Sequence, residues 1–386
     1  MSRTDSSPAD TEVLVVGAGP TGLTLAAALL ARGIRTAVID RQAAGANTSR
    51  AAVIHARTLE VLEPLGDVTA SLVARGLAVK RFTIRDRDRV LVPIEFGSLP
   101  TRYAYTLMLS QAVTEAVLLE RVQALGGQVQ RPRTLAALAQ DEQAVTATLD
   151  DGTRWRARYV VGADGMHSVV REQAGIGFTG GRYDESFVLA DVRLTGGVPH
   201  EEVILYFSPA GMVVVAPLPG GAHRIVATVD DAPEQPGIAF VQALLDARGP
   251  AREPARVQEV IWGSRFRVHH RVADRYRAGR IVLAGDAAHV HSPAGGQGMN
   301  AGILDAMRLA DALAQALAGD AHALDAYGHE RRPIAQRIVA LADRLTRLAT
   351  VPVFLRGLRN LLLATVARWS GARRRLAWQL SGLSYR

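Results

Sequence analysis

The sequence contains no cysteine. That absence removes disulfides, thiolate metal sites and cysteine nucleophiles in one step, and it is compatible with a cytoplasmic protein, the location expected here. Lysine is almost as scarce. Lys80 is the only one, so the basic side is nearly all arginine and Schiff-base chemistry has a single candidate. Extremes of composition are missing too: with 48% hydrophobic and 21% charged residues, the 386-residue chain falls outside the disordered, collagen-like and coiled-coil classes. Its length suits two or three domains, or one α/β core with an insertion. A formal charge of +8 suits phosphate-bearing ligands or anionic surfaces, but the arginines are dispersed and no nucleic-acid motif accompanies them.

Long apolar runs are absent once glycine and proline are counted. Residues 1–12 are polar and lack the apolar stretch of a secretory signal. Residues 13–31 carry no charge, yet Gly17, Gly19, Pro20 and Gly22 split them into a strand and a helix rather than a membrane span. Residues 351–369 are apolar with Arg356, Arg359 and Arg368 interspersed, and Arg373, Arg374 and Arg375 follow. This segment reads as a C-terminal helix that packs its apolar stripe on the body and turns its arginines to water. The alternative is an amphipathic segment lying on an anionic membrane. No integral span is expected.

What is present is a nucleotide-binding pattern interrupted by strands. A buried strand at 13–16, helical spacing over 23–30 before Gly33, and a second strand at Thr36–Ile39 form one strand–helix–strand unit. Leu59, Leu62 and Leu65 suit a short helix stopped by Gly66, and 110–125 reads as a helix ended by Gly126-Gly127. A hairpin turns at Asp150-Asp151-Gly152, and a separate apolar strand at 159–161 follows it. Strand-like runs then dominate 178–268, with His269-His270 read as a strand end. The nucleotide-binding pattern resumes with a strand at 280–283 and a helix over 300–318. The expected fold class is α/β: a discontinuous Rossmann-type domain with an inserted β-rich substrate domain and a C-terminal helical segment. Its Rossmann parts are 1–75, 106–177 and 271–330, the substrate-domain parts 76–105 and 178–270, and the helical segment 331–386.

The chemistry begins at Gly17-Ala18-Gly19-Pro20-Thr21-Gly22, with Asp40 ending the second strand. Glycines at these positions permit a tight turn, close approach of a diphosphate and close helix–strand packing, while Asp40 can accept from ribose hydroxyls. This pattern alone does not separate NAD from FAD. Two further motifs do: Asp164-Gly165 after one strand, and Gly285-Asp286-Ala287-Ala288-His289 after another. Pro293, Gly295, Gly296, Gln297, Gly298, Met299 and Asn300 then precede a helix. Asp286 can bind the hydroxyls of a ribityl chain, the glycines admit a flat ring, and the helix N-terminus would favour an anionic reduced flavin.

On these motifs nearly the whole chain resembles the class A flavoprotein monooxygenases, the FAD-dependent aromatic hydroxylases of the para-hydroxybenzoate hydroxylase fold. The resemblance implies that Gly17, Gly19, Pro20, Gly22 and Asp40, with neighbouring Arg41, hold the ADP half of FAD. It places Asp164, with Ser168 and Arg171 nearby, at the diphosphate and in NAD(P)H use, and Asp286 at the ribityl chain. Pro293, Gly296, Gly298, Met299 and Asn300 would flank the isoalloxazine. Arg50 and Gln111 align with flavin contacts, and Leu135 with backbone contacts to adenine. The implied activity is insertion of one oxygen atom from O₂ into an aromatic or polyketide-like small molecule through a flavin C4a-hydroperoxide. NAD(P)H is the implied reductant, with NADPH placed ahead of NADH. Within the family, bacterial polyketide and phenol hydroxylases are the nearest in pattern. The thioredoxin-like domain that often follows in those enzymes is expected to be absent, and a monomer or homodimer is expected. A flavin halogenase or reductase is an alternative on the same fold, but Lys80 lies in no matching motif. A redox-silent flavoprotein that carries a hydrophobic ligand is another.

Other signals carry less. His289-Val290-His291 beside Asp286 is not a complete metal-ligand set, so no metal is expected. His55 has the right chemistry to deprotonate a phenol, but it is read as a solvent or packing histidine and no catalytic side chain is assigned. Tyr103, Tyr105, Tyr206, Phe207 and Met212 fit an aromatic pocket or a core equally well.

Overall fold

A computed structural model describes residues 9–45, 51–208, 210–229, 232–293, 295–349 and 351–385. Alternation of apolar runs with turn glycines produces a sheet whose central strands are parallel. Their order is Ile281–Leu283, Arg154–Gly162, Ala9–Val16, Thr36–Ile39 and Val129–Gln130. Such strands are apolar on both faces because helices cover both. Val13, Leu14 and Val15 are accordingly fully buried. The helix Pro20–Leu30 is buried from Gly22 to Leu29, because the sheet, the helix Gln111–Ala124 and the helix Gly298–Leu317 enclose it. The antiparallel pair Leu135–Gln140 and Val145–Leu149 joins the sheet on the outer part of Arg154–Gly162. That strand is continuous, where two were expected from sequence.

The second large sheet is antiparallel except for one pairing. Its order is His289–Val290, Arg256–Ala273, Phe178–Thr195, Ala222–Val229, Gly211–Pro217, Glu202–Ser208, Arg81–Asp86 and Arg89–Glu95. The exception is the parallel pairing of Glu202–Ser208 with Arg81–Asp86. Successive side chains point to opposite faces. Tyr206 therefore packs with Val213, Val215 and Ile225 against the helix Ile238–Arg248, an element that the strand-like sequence around it does not announce. Phe207, Met212 and Phe187 face the other way, toward Ala367, Ala377 and Leu380 of the C-terminal helices. A small third sheet joins Val53–Ile54, Thr106–Met108 and Leu77–Val79.

Several expectations need correction. Strand Arg256–Ala273 and helix His322–Ala349 run through the breaks drawn at 270/271 and 330/331, so those breaks fall inside elements. His269 and His270 pair with Arg182 and Gly181 within the strand rather than ending it. The largest correction concerns the helix Arg356–Val366. Its buried residues are Arg359 and Asn360, while Leu358, Leu361, Leu362 and Val366 are exposed, the reverse of the expected orientation. The reason is the surface it meets. Arg359 donates to the carbonyls of Leu348 (3.1 Å) and Phe207 (3.1 Å), and Asn360 donates to Asp86 Oδ2 (2.8 Å). Leu348 lies in the last turn of His322–Ala349. Terminal helix carbonyls have no intrahelical partner and attract cations, so polar side chains pack inward here.

Candidate functional site

Three turns meet at the carboxyl ends of adjacent parallel strands, where open α/β sheets receive ligands. The first follows Ala9–Val16. Gly17 has φ +105°, and a Cβ there would lie 2.3 Å from the carbonyl oxygen of Ala163, in the second turn. A Cβ on Gly22 would lie 1.9 Å from the Gly17 oxygen. These two glycines are required by backbone packing. Gly19 differs: it caps Pro20–Leu30 without a side-chain bond, Pro20 occupies the first turn, and nothing lies within 4 Å of where its Cβ would stand. The uncapped first turn thus borders open space, a cradle suited to an anionic group. Asp40 Oδ2 accepts from Ala18 N–H (2.6 Å) and Oδ1 from Gln42 N–H (2.7 Å), tying the turn to the second strand. Arg41 is exposed beside it. Arg131 Nη2 donates to Ala18 O (3.2 Å), bringing to this turn a positive charge that sequence reasoning missed. Leu135 is buried in the core, which leaves its backbone as the part available to a ligand.

The second turn follows Arg154–Gly162. Asp164 accepts from Ser168 Oγ (2.5 Å) and from Val170 N–H (3.2 Å), while Gly165 takes φ +82°. Burial raises the Asp164 pKa, and these hydrogen bonds oppose the rise. Buried Arg171 reaches from here to the third turn. It donates to Met166 O (2.9 Å) and Ala287 O (3.0 Å), with its guanidinium 3.9 Å from the Phe178 ring centroid.

In the third turn, Gly285 lies against Thr21, where a Cβ would meet Oγ1 at 2.5 Å, and Asp286 is exposed. Behind it lies a buried network that no sequence motif marks. Asp305 accepts from His289 Nε2 (2.6 Å), Arg331 Nε (2.6 Å) and Gly285 N–H (3.3 Å). Burial pushes the Asp305 pKa up, but Arg331 and His289 outweigh it and hold the carboxyl below its usual range. Tyr327 adds a bond to Leu283 O (3.0 Å). The available signal was a lone acid at helical spacing among Ala301, Leu309 and Ala312, all buried. His289 is thus committed to Asp305, and His291 Nδ1 donates to Ser292 O (2.8 Å). Among the described residues no group of three metal-ligating side chains occurs.

The glycine loop lies between this turn and Gly298–Leu317. Pro293 is exposed, Gly295 and Gly296 have φ +86° and +63°, and Gly298 and Met299 open the helix half-buried. Asn300 is buried. It accepts from His55 N–H (2.8 Å) and Thr58 Oγ1 (2.7 Å), and donates to Val53 O (2.9 Å) and Gly296 O (2.8 Å). Its amide is therefore occupied by protein groups. His55 is also buried, donates from Nε2 to Gly295 O (3.0 Å), and has its pKa lowered to about 4 by burial. Among the described residues its Nδ1 has no hydrogen-bond partner. Gln111 opens its helix, accepting from Ala51 N–H (3.3 Å) and donating to Glu115 (2.9 Å). Arg50 lies outside the described residues. Leu380 and Leu345 approach within 3.5 and 3.7 Å of the Gly295 Cβ position, so the C-terminal helices reach the loop. Of the aromatic candidates, Phe207 shares their apolar cluster with Met212 and the stacked Phe187–Phe266 pair (5.8 Å). Tyr206 packs on the opposite face, and Tyr103 donates to Glu63 (2.7 Å). Lys80 is exposed.

An uncapped helix start facing open space, glycines that admit no side chain, and acidic groups at the strand ends fit a dinucleotide ligand. Comparison with known proteins agrees. The family described as FAD binding domain matches residues 10–342. The chain is 41% identical over 357 residues to 6-methylpretetramide 4-monooxygenase of Streptomyces rimosus, covering 89% of this chain and 62% of the relative. It is 36% identical over 342 residues to pentachlorophenol 4-monooxygenase of Sphingobium chlorophenolicum, covering 86% and 63%. The chain thus spans under two thirds of the length of these relatives. Among solved structures, p-nitrophenol 4-monooxygenase from Pseudomonas putida superposes with a TM-score of 0.85 at 25% identity, covering 97% of this chain and 98% of that one. An aromatic hydroxylase from angucycline biosynthesis gives 0.79 at 31% identity, covering 98% and 77%.

Proposed function

The chain belongs to the FAD-binding-domain family, and from that premise we propose that it is an FAD-dependent monooxygenase that hydroxylates an aromatic small molecule, phenolic or polyketide-like. The single observation that carries this reading is the meeting of three turns, at Gly17, Asp164 and Gly285, beside a glycine loop. The relatives are named for 6-methylpretetramide and pentachlorophenol, which supports this substrate class.

In this proposal the helix start after Gly19 holds the diphosphate, Asp40 the ribose hydroxyls, and Asp286 the ribityl hydroxyls. The loop from Pro293 to Asn300 would border the ring, with Gln111 assigned to the same end. FAD supplies the electron transfer and dioxygen activation when bound. The protein's part is positioning. Asn300 ties the loop to His55 and Val53, and Arg171 ties two turns together. His55 stays neutral at ordinary pH and holds its Nε2 proton on Gly295 O. We assign NAD(P)H as reductant, NADPH ahead of NADH, and a monomer or homodimer acting in the cytoplasm.

The test is turnover under ¹⁸O₂ with a panel of phenols and polycyclic aromatics. One labelled oxygen in the product, and none from H₂¹⁸O, is expected. Label arriving from water overturns the proposal. NAD(P)H oxidation that no aromatic accelerates turns the reading toward a ligand carrier.

A further inference from the structure

The helix Arg356–Val366 is built inside out, and its outer face has a composition that selects a partner. Eight of the eleven large hydrophobic side chains exposed among the described residues lie between Val353 and Trp369. Phe354 is 83% exposed, Leu361 59% and Trp369 72%. With Leu358, Leu362 and Val366 they recur at spacings of three, four and eight, which places them on one side of a helix. The opposite side is anchored by Arg359 and Asn360, bonded to Phe207, Leu348 and Asp86, so rotation cannot bury the stripe. Residues 344–386 contain nine arginines and no acidic residue or lysine, and Arg368, Arg374 and Arg375 are exposed beside the stripe.

We propose that this face docks on an anionic phospholipid bilayer, with the helix lying in the plane of the headgroups. An apolar stripe of Leu, Phe and Trp bordered by arginine is the pattern of an interfacial helix. Trp369 stands at the end of the stripe, where an indole suits the boundary between acyl chains and headgroups. The eleven-residue helix rises only about 16 Å, too short for a hydrocarbon core of about 30 Å, so it lies on the surface. No helix among the described residues is long and apolar enough to cross a membrane. A second copy of the chain is disfavoured as the occupant. A symmetric contact would bring together two copies of a segment with nine arginines and no acidic residue, whereas an anionic bilayer offers the opposite charge.

The experiment is flotation of the full chain with vesicles of phosphatidylcholine, with and without phosphatidylglycerol, across a salt series. Binding to the mixed vesicles alone, weakened by salt, is expected. Each of Arg374→Gln and Arg375→Gln should weaken it about fivefold. Leu361→Ser with Leu362→Ser should abolish it while circular dichroism and the melting temperature stay unchanged, because both side chains are solvent-facing. Equal binding to neutral vesicles, or none to either, overturns the proposal. So does a dimer in sedimentation equilibrium that these serine substitutions disperse without any flotation having been seen.

Discussion

At the scale of single residues, two aspartates on neighbouring elements stand in opposite surroundings. Asp286 is exposed at the mouth of its turn, whereas Asp305 is sealed behind that turn between Arg331 and His289. Asp286→Ala should cost the fold much less than Asp305→Ala, because its side chain is exposed. It should weaken FAD binding by about 1.5–3 kcal/mol, roughly ten- to a hundredfold, as expected for loss of a charged acceptor. Equilibrium dialysis measures this, and unchanged affinity would remove Asp286 from the site. Asp305→Ala strands a buried arginine and should destabilise the fold by about 3–5 kcal/mol in urea titration. The first position was legible in sequence because a turn motif marks it. The second was not, because only the three-dimensional crossing of two helices brings Arg331 to Asp305.

At the scale of elements, the glycine turn separates packing from binding. Gly17→Ala and Gly22→Ala drive a Cβ into backbone oxygen, so both should yield little folded protein. Gly19 has φ −79°, which alanine adopts readily, and open space around its Cβ position. Gly19→Ala should therefore fold with near-normal stability and lose FAD affinity at least tenfold, since the new methyl enters the cradle. Parallel thermal melts and flavin titrations check this, and a Gly19→Ala protein with undiminished affinity would move the diphosphate elsewhere. Most elements around this turn were legible, because strand Thr36–Ile39 and the helices ended by Gly33 and Gly126 carry periodicity and stop signals. Helix Ile238–Arg248 was missed because it lies within strand-rich sequence, its burial decided by the sheet face it covers. The orientation of Arg356–Val366 was also illegible. Its leucines announce a helix, but the choice of buried face is made by carbonyls at the end of a different helix and in the strand Glu202–Ser208.

At the scale of the whole molecule, both large structural units hold imidazoles that the fold keeps neutral. His55 lies at the glycine loop, and His223 lies fully buried in the second sheet, with neither ring nitrogen hydrogen-bonded among the described residues. Burial lowers each pKa to about 4, with His200 adding to the effect on His223. The sign of the pH dependence follows. Between about pH 6.5 and 4 the unfolded chain binds protons at these positions and the folded chain does not, so stability falls as pH falls. Each imidazole contributes a slope of up to about 1.4 kcal/mol per pH unit within that window. Asp305, whose carboxyl is held below its usual range, adds a further loss only at still lower pH. Melting temperature should therefore be flat from pH 8 to about 7 and decline steadily below about 6.5. His223→Leu, which removes a titrating group distant in sequence from the glycine loop, should make that decline shallower. Because His55 remains neutral to about pH 4, acid loss of activity should track this loss of fold rather than a separate titration near 6.5. A melting temperature independent of pH down to 5, or a kcat that falls while the fold persists, would show that these imidazoles are hydrated and titrate normally.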